Sequence, residues 1–232
     1  RFLKAHFSGF DADYDEPLPL QWAASSDVDA SHHIYQAILK KVKVHRAGLA
    51  HPRIDYKRLT WLNGMMLSTL STAYKVLGEQ RYLDEAISLA HFLRRYMVSE
   101  DGGLYRYRYE KTSLSDSMLD DYAWLIAGLL DLYQVTFDEQ WFTWAIELQT
   151  RQDDLFWVDG HYAMNRENDI YFDVRPVTTR DSAVPSAQAV SLQNCLTLFD
   201  FTLALPYKDK AHHLLNTQAS ELVSQPFEYA HT

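Results

Sequence analysis

The sequence predicts an all-α fold, an α/α toroid of the six-hairpin glycosidase-like kind that carries part of its ring, with short β-hairpin excursions between helical hairpins. Three observations predict it. Tyr74, Val76, Ala86, Ile87 and Leu89 recur without a gap at Tyr133, Val135, Ala145, Ile146 and Leu148, at a constant offset of 59 residues. A weaker third copy, Phe199, Ala211 and Leu214, follows 66 residues later. Each copy holds two apolar segments with the 3–4 spacing of amphipathic helices. A period near sixty is too long for one helix pair of a common solenoid and suits two helices plus a strand-like connection. In a toroid one helix of each pair lines the inside and the other forms the outside, so three copies make about half of a six-hairpin ring.

The elements follow in order. Residues 1–30 show no clear period. Asp11, Asp13 and Asp15 alternate like the start of a calcium loop, but Glu16 and Trp22 stand where such a loop needs its Gly and its bidentate Glu. Pro17 and Pro19 make the next stretch extended. Ile34, Ile38, Val42 and Val44 predict a first helix from Ser31 to about His45, and a loop with Gly48 and Pro52 follows. Residues 1–45 are thus an N-terminal extended segment plus one helix, and residues 46–232 the hairpin array.

The first repeat helix is predicted over Thr60–Leu77, with Met66, Leu70, Ala73 and Tyr74 on one face and Gly78 closing it. A second helix spans Arg81–Val98. Asp101, Gly102 and Gly103 then form a turn, and Leu104–Tyr109 alternates as a strand does. The second copy predicts helices over Asp116–Thr136 and Glu139–Phe156, a turn at Asp159 and Gly160, and a hairpin of His161–Met164 with Asp169–Val174. The third predicts a helix over Pro185–Leu203 with the proline in its first turn, a break at Pro206, and a helix over Lys208–Val223.

Composition removes several function classes. A net charge of −9 disfavours a phosphate-backbone partner, so no nucleic acid is expected. The single cysteine, Cys195, forbids an intrachain disulfide and any CxxC pattern, and its apolar helical setting reads as a buried, inert thiol. No apolar run reaches the roughly 18 residues of a membrane span, and no secretory leader is visible. A cytoplasmic, reducing compartment is the expectation. His45, His51, His161, His212 and His213 show neither HxH nor HExxH spacing, which argues against a metal site. There is no GxSxG, P-loop or GxGxxG, and no cofactor is expected. His161 reads as an exposed loop histidine, or as an acid–base group overhanging the site.

Aligning the copies locates the polar residues. Trp61, Leu62 and Asn63 fall opposite Asp120, Asp121 and Tyr122, and, with the longer offset, opposite Ser186, Ala187 and Gln188. Equivalent positions in a toroid lie at one height, so Asn63, Asp120, Asp121, Ser186 and Gln188 are expected at one rim. Helix N-termini meet there, and their free N–H groups favour oxygen-rich ligands. Asp and Ser near helix starts also serve as caps. Ser115 and Asp116 already offer one before Asp120 and Asp121. Arg175, Arg180 and Asp181 surround the loop into the third inner helix, where they either bind hydroxyls by paired hydrogen bonds or fix the loop as an ion pair.

Specific stretches resemble a known family. HPRIDYKRLTWLNGMM (His51–Met66), MLDDYAWLIAGLLDL (Met118–Leu132) and RPVTTRDSAVPSAQA (Arg175–Ala189) are similar to three motifs of the thioredoxin-domain-containing proteins related to spermatogenesis-associated protein 20, of which YyaL is a bacterial member. FSGFDADYD (Phe7–Asp15) faintly resembles a further element. The resemblance implies the (α/α)6 toroid portion of such a protein, akin to N-acylglucosamine 2-epimerases and six-hairpin glycosidases, without the thioredoxin-like domain. Two motifs depart from the family: Leu62-Asn63-Gly64 stands for W–N–G with Trp61 one place early, and Pro185-Ser186-Ala187-Gln188-Ala189 for P–S–G–N–S.

The functional expectation is a carbohydrate-active toroid domain with an unassigned reaction. Asp120, Asp121 and Asp181 are the candidate catalytic carboxyls, with Asp120 and Asp181 the better pair, because adjacent Asp120 and Asp121 diverge by about 100° on a helix. Trp61, Tyr122 and Trp124 are candidate walls, and Asn63, Arg175, Ser186 and Gln188 candidate contacts to a sugar or sugar derivative. The alternative is a non-catalytic helical scaffold or protein-binding module. An incomplete ring leaves an apolar edge to be covered by dimerisation or further chain.

Overall fold

The computed structural model describes residues 7–8, 21–22, 28–49, 54–110, 112–167 and 174–229. The Asp11–Asp15 alternation and the Asp169–Val174 strand, apart from Val174, lie outside them. The chain forms two compact units, Arg1–Ile54 and Asp55–Thr232. In the first, β1 (Phe7–Ser8) pairs antiparallel with β2 (Gln21–Trp22), and α1 spans Val28–Ala47.

The second unit holds the repeats as three helical hairpins. These are α2 (Thr60–Leu77) with α3 (Gln80–Tyr96), α4 (Leu119–Thr136) with α5 (Glu139–Phe156), and α6 (Ala187–Thr202) with α7 (Leu205–Ser224). The first helices pack side by side, α2 on α4 and α4 on α6, and each second helix packs on its own first helix. Between the hairpins, β3 (Arg58–Leu59), β4 (Tyr105–Tyr109) and β5 (Thr112–Asp116) form a three-stranded antiparallel sheet, and β6 (Trp157–Val158) pairs with β7 (His161–Tyr162). His161 and Tyr162 thus turn back on the end of α5 through Asp159 and Gly160.

The repeat residues have a local job. Tyr74, Tyr133 and Phe199 supply the carbonyls that receive the capping N–H of Gly78, Phe137 and Leu203, at 2.8, 2.7 and 2.7 Å. All three caps are left-handed, with φ of 70°, 54° and 57°. Glycine adopts that conformation freely, whereas an L side chain pays for it. Leu203 is 73% exposed, so its side chain has little packing to lose. Leu203→Gly is therefore expected to stabilise the protein by about 0.5–1 kcal/mol, seen as a higher urea midpoint at unchanged slope.

Two boundaries differ from the sequence reading. Pro185 precedes the cap of α6, which is Ser186, whose hydroxyl accepts the Ala189 N–H at 3.1 Å. Pro206 lies inside the first turn of α7 instead of breaking the chain, because a proline there loses no helical hydrogen bond. The third copy is also short at its start. α6 has 16 residues where α2 and α4 have 18. Counted back from the C-terminal caps the 66-residue offset keeps Ser186 opposite Trp61 and Asp120, but α6 starts two residues later, so Ser186 is its N-cap where Trp61 and Asp120 already lie inside their helices.

α4 is the centre of the core. Leu119, Ala123, Leu125, Ile126, Leu129 and Leu132 are all fully buried, as is Tyr122. The α2–α4 crossing is close enough that the helices touch backbone to backbone. A Cβ on Gly64 would lie 2.6 Å from the Trp124 carbonyl carbon, and one on Gly128 2.6 Å from the Gly64 oxygen. The two helices run parallel, since Trp61 meets Asp121, Gly64 meets Trp124 and Leu125, and Ser68 meets Asp131.

Candidate functional site

The entrances of α2 and α4 meet on one carboxyl. Asp121 Oδ1 accepts the Trp61 N–H at 3.2 Å, and Oδ2 accepts the Met118 N–H at 2.9 Å. Asp121, at the third position of α4, thus caps its own helix and ties down the start of the neighbouring one. Arg106, projecting from β4, places Nη1 3.2 Å from Asp121 Oδ2 and 3.5 Å from Asp120 Oδ1. The Asp121 side chain is fully buried, while Asp120 keeps 21% of its side-chain surface exposed. Burial pushes the Asp121 carboxyl up to about 7; Arg106 pulls it down and the Asp120 charge pushes it further up.

Asp120 begins a stripe. Asp120, Trp124, Ala127, Asp131 and Gln134 recur at helical spacing and form the partly exposed face of a helix that is otherwise buried as far as Leu132. From Trp124 onward the stripe lines a cavity of about 210 Å³ with Gln193 and Asn194 of α6. Ser68 of α2, Pro185 and residues of α4 and α6 complete it, so its lining comes from the three first helices and the loop before the third. Asn194 is fixed by donating to the Ala123 carbonyl at 2.8 Å. The Ser68 hydroxyl donates to Asp131, and burial raises the pKa of that carboxyl.

The remaining expected residues are distributed elsewhere. Asn63 donates to the Leu59 carbonyl at 2.7 Å and lines a separate cavity of about 480 Å³ with Met66, Leu70 and Phe92, between α2 and α3. Tyr122 points away from the stripe. Its ring meets Phe156 edge-on at 5.5 Å and its hydroxyl accepts the Leu104 N–H at 3.2 Å. Gln188 is buried and grips β7, accepting the Tyr162 N–H at 3.3 Å and donating to the Tyr162 carbonyl. Arg175 donates to the Leu155 and Asn165 carbonyls at 2.8 and 3.3 Å. Asp181 accepts the Ser186 N–H at 2.8 Å, and Arg180 pairs with Glu228 at 3.1 Å. Neither of these two cavities is lined by Asp120 or Asp181.

Arg106, Asp131, Gln134 and Gln193 were not singled out by sequence reasoning. The last three had a usable signal, the continuation of the Asp120–Trp124 spacing along the helix and its counterpart on α6. Arg106 had none, because a strand residue gains its partner only when the sheet folds over the helix entrance. Cys195 is buried, and burial pushes its thiol up to about 12. Among the described residues no group of three or more His, Cys, Asp or Glu could hold a metal ion, and no helix is long and apolar enough to cross a membrane.

No protein-family model matches the chain. It is 32% identical over 212 residues to human spermatogenesis-associated protein 20, an alignment covering 86% of this chain and 27% of that protein. A cellobiose 2-epimerase from Bacillus thermoamylovorans shares its fold with a TM-score of 0.59 at 20% identity, over 72% of this chain and 45% of the epimerase. A family 76 glycoside hydrolase (mannosidase) from Bacteroides thetaiotaomicron does so with a TM-score of 0.58 at 17% identity, over 83% of this chain and 54% of the hydrolase. The fold is that of the α/α toroids, and this chain spans about half the length of these two enzymes.

Proposed function

Since the chain belongs to the spermatogenesis-associated protein 20 family and spans 27% of the length of the human member, its toroid portion, we propose that it supplies part of a carbohydrate-active toroid whose sugar ligand lies along the inner wall formed by α2, α4 and α6. The observation that carries this reading is the stripe Asp120–Trp124–Asp131–Gln134. It presents an aromatic face, an amide and two carboxyls to a cavity or its approach, on a helix whose other residues are buried as far as Leu132. Aromatic faces with convergent hydrogen-bonding groups suit a ring that carries hydroxyls on an apolar frame. The epimerase and mannosidase that share the fold act on sugars by name.

In this reading Asp120 is the carboxylate that meets the ligand, as a hydroxyl acceptor or proton acceptor. Arg106 balances its charge, and buried Asp121 holds Arg106 and the two helix entrances in place without touching sugar. Trp124 is the wall, with Trp61 beside the entrance. Asp181, Ser186, Arg175 and Gln188 shape the loop and hairpin that border the groove. Glycoside hydrolysis needs two carboxyls roughly 5–10 Å apart. Asp120 and Asp131 are eleven residues apart on one helix, about 16 Å along its axis, so within the stripe a reaction or binding mode served by one carboxylate fits better.

The test is a saturation-transfer NMR and thermal-shift series on the full chain with mannose, cellobiose and related sugars. Binding is expected to weaken about tenfold in Trp124→Ala and in Asp120→Asn. Absence of binding by every sugar, or binding that both variants leave unchanged, sinks the reading. A second reading, a helical protein-binding module, draws on the exposed Leu62 and Met66 of α2 beside the Asn63 cavity. It gains if sugars fail while changing Met66 to a charged residue alters self-association in light scattering.

A further inference from the structure

The turns that join the two helices of each hairpin lie at one rim, at the ends of α2, α4 and α6 opposite their entrances. Six large apolar side chains are exposed there: Val76 and Leu77 at the end of α2, Phe137 after α4, Phe201 and Leu203 at the end of α6, and Leu205 at the start of α7. Capping does not demand two of them, since Gly78 closes α2 with the same left-handed turn and the same hydrogen bond that Phe137 and Leu203 make. Phe137 and Leu203 therefore carry two costs at once. An L side chain is strained in the left-handed region, and an apolar one left in water forgoes its burial. Phe137 is 74% exposed. Strain that the local structure does not require points to a task for the surface that bears it.

The patch is also held in place. Tyr133 gathers three phenylalanine rings beneath it: Phe142 stacks on it at 4.8 Å, and Phe201 and Phe137 meet it edge-on at 5.3 and 6.1 Å. These contacts link α4 to α5 and α6, so Phe137 and Phe201 belong to one continuous surface, and docking on it would order little more. Contiguous apolar surface of this kind marks an interaction site.

The flanking charges select the partner. Lys75 and Asp200 stand at the register of Gln134, on the inner wall, and Glu79 is paired with Arg81 at 2.7 Å. Asp138 is occupied in capping α5 through the Gln140 N–H at 3.1 Å. That leaves Glu139 beside Phe137 and Lys208 beside Leu205, both exposed, at the two ends of the patch. Lys208 Nζ lies 5.7 Å from the Phe199 ring centroid, while Asp209, the next residue, is turned about 100° round α7. A partner of uniform charge would be repelled at one end. A second copy is not: under a two-fold axis between the second and third turns, the acid of each copy meets the lysine of the other.

We propose that this rim docks a second copy of the chain in a two-fold dimer, with Phe137 of each copy packed on Leu203 of the other and Glu139 of each paired with Lys208 of the other. The surface uses none of the inner-wall residues, and holds whether or not a sugar binds there.

Sedimentation velocity of the full chain from about 1 to 100 μM tests it. A rise from the monomer toward twice its mass is expected. Leu203→Gly relieves the left-handed cap, so its urea midpoint at about 1 μM is expected to rise while its association weakens about tenfold. Phe137→Asn, whose new residue tolerates the left-handed region, is expected to weaken association by a similar factor. A residue that serves only the helix end would lose no association. Glu139→Lys and Lys208→Glu are each expected to loosen the dimer several-fold, and the two combined to restore it to within about twofold. A chain that stays monomeric throughout the range overturns the proposal. So does a dimer that Leu203→Gly and Phe137→Asn leave as tight as the wild type, which would place the contact on another face. Failure of the combined charge swap to restore association overturns the two-fold pairing.

Discussion

Replacing Gly64 by alanine is expected to destabilise the protein by about 3 kcal/mol or more, and Gly128→Ala similarly. The sign is the informative part. On an exposed helix the same substitution stabilises by about 1 kcal/mol, because alanine is the better helix former. Here the new methyl would sit 2.6 Å from the Trp124 carbonyl carbon and 2.7 Å from the Leu125 nitrogen. Both are backbone atoms of a buried helix and cannot rotate away. At Gly128 the obstacle is the Gly64 oxygen at 2.6 Å, with Leu67 Cβ at 3.0 Å. Relief requires α2 and α4 to separate, which opens the contact holding the first hairpin to the second. Gly48→Ala is the control: its added Cβ meets only the His45 oxygen, at 3.5 Å, and a change within about 0.5 kcal/mol is expected. Urea unfolding of the three variants decides the matter. Gly64→Ala as stable as the wild type would mean the helices do not cross at this distance.

Asp121 carries the second large effect. Asp121→Ala strands the Trp61 and Met118 N–H groups and leaves Arg106 without its buried partner, at an expected cost of about 3 kcal/mol. The pH dependence distinguishes this carboxyl from an ordinary cap. Its folded pKa, about 7, lies above the usual carboxylate value of 3.8. The folded state therefore holds its proton more tightly than the unfolded chain does. The stability contributed by that proton is fully present below about pH 4 and is lost as pH rises through about 7. Asp121→Asn resembles the protonated acid and is expected to flatten the decline between about pH 4 and 7. The measurement is the urea midpoint at a series of pH values for both proteins. Parallel curves would show that Asp121 is already ionised throughout that range, held so by Arg106 and the two N–H groups.

The helical hairpins were legible because their signals are local. Apolar spacing marks Thr60–Leu77 and Glu139–Phe156 to the residue, and the 59-residue recurrence of Tyr74 at Tyr133 marks the carbonyl under each left-handed cap. Pro206 misled because a proline reads alike as a breaker or as a first-turn residue, and only the chain direction at Leu205 separates the two. The candidate site was legible in part. The Asp120–Asp121 pair stood out, but the sequence could not say that one side chain faces the groove and the other is sealed beneath Arg106. Tyr122, Gln188 and Arg175 are polar groups near helix ends, as ligand-binding residues are; their partners prove to be backbone atoms from Leu104 to Tyr162 that lie far away in the chain. Gly64 was visible inside a family-like motif, yet its reason, a helix crossing at backbone distance, exists only once α4 is in place.

By itself the sequence determined the repeat, the hairpins and the class of ring they build, since these follow from periodicity and capping within some twenty residues. The tertiary structure alone decided which carboxyl is buried and which is reachable, where α2 and α4 meet through two glycines, and that Phe137 and Phe201 share one exposed rim around Tyr133. Each of these depends on the distance between elements separated by tens of residues, and burial, charge pairing and steric fit act only at those distances.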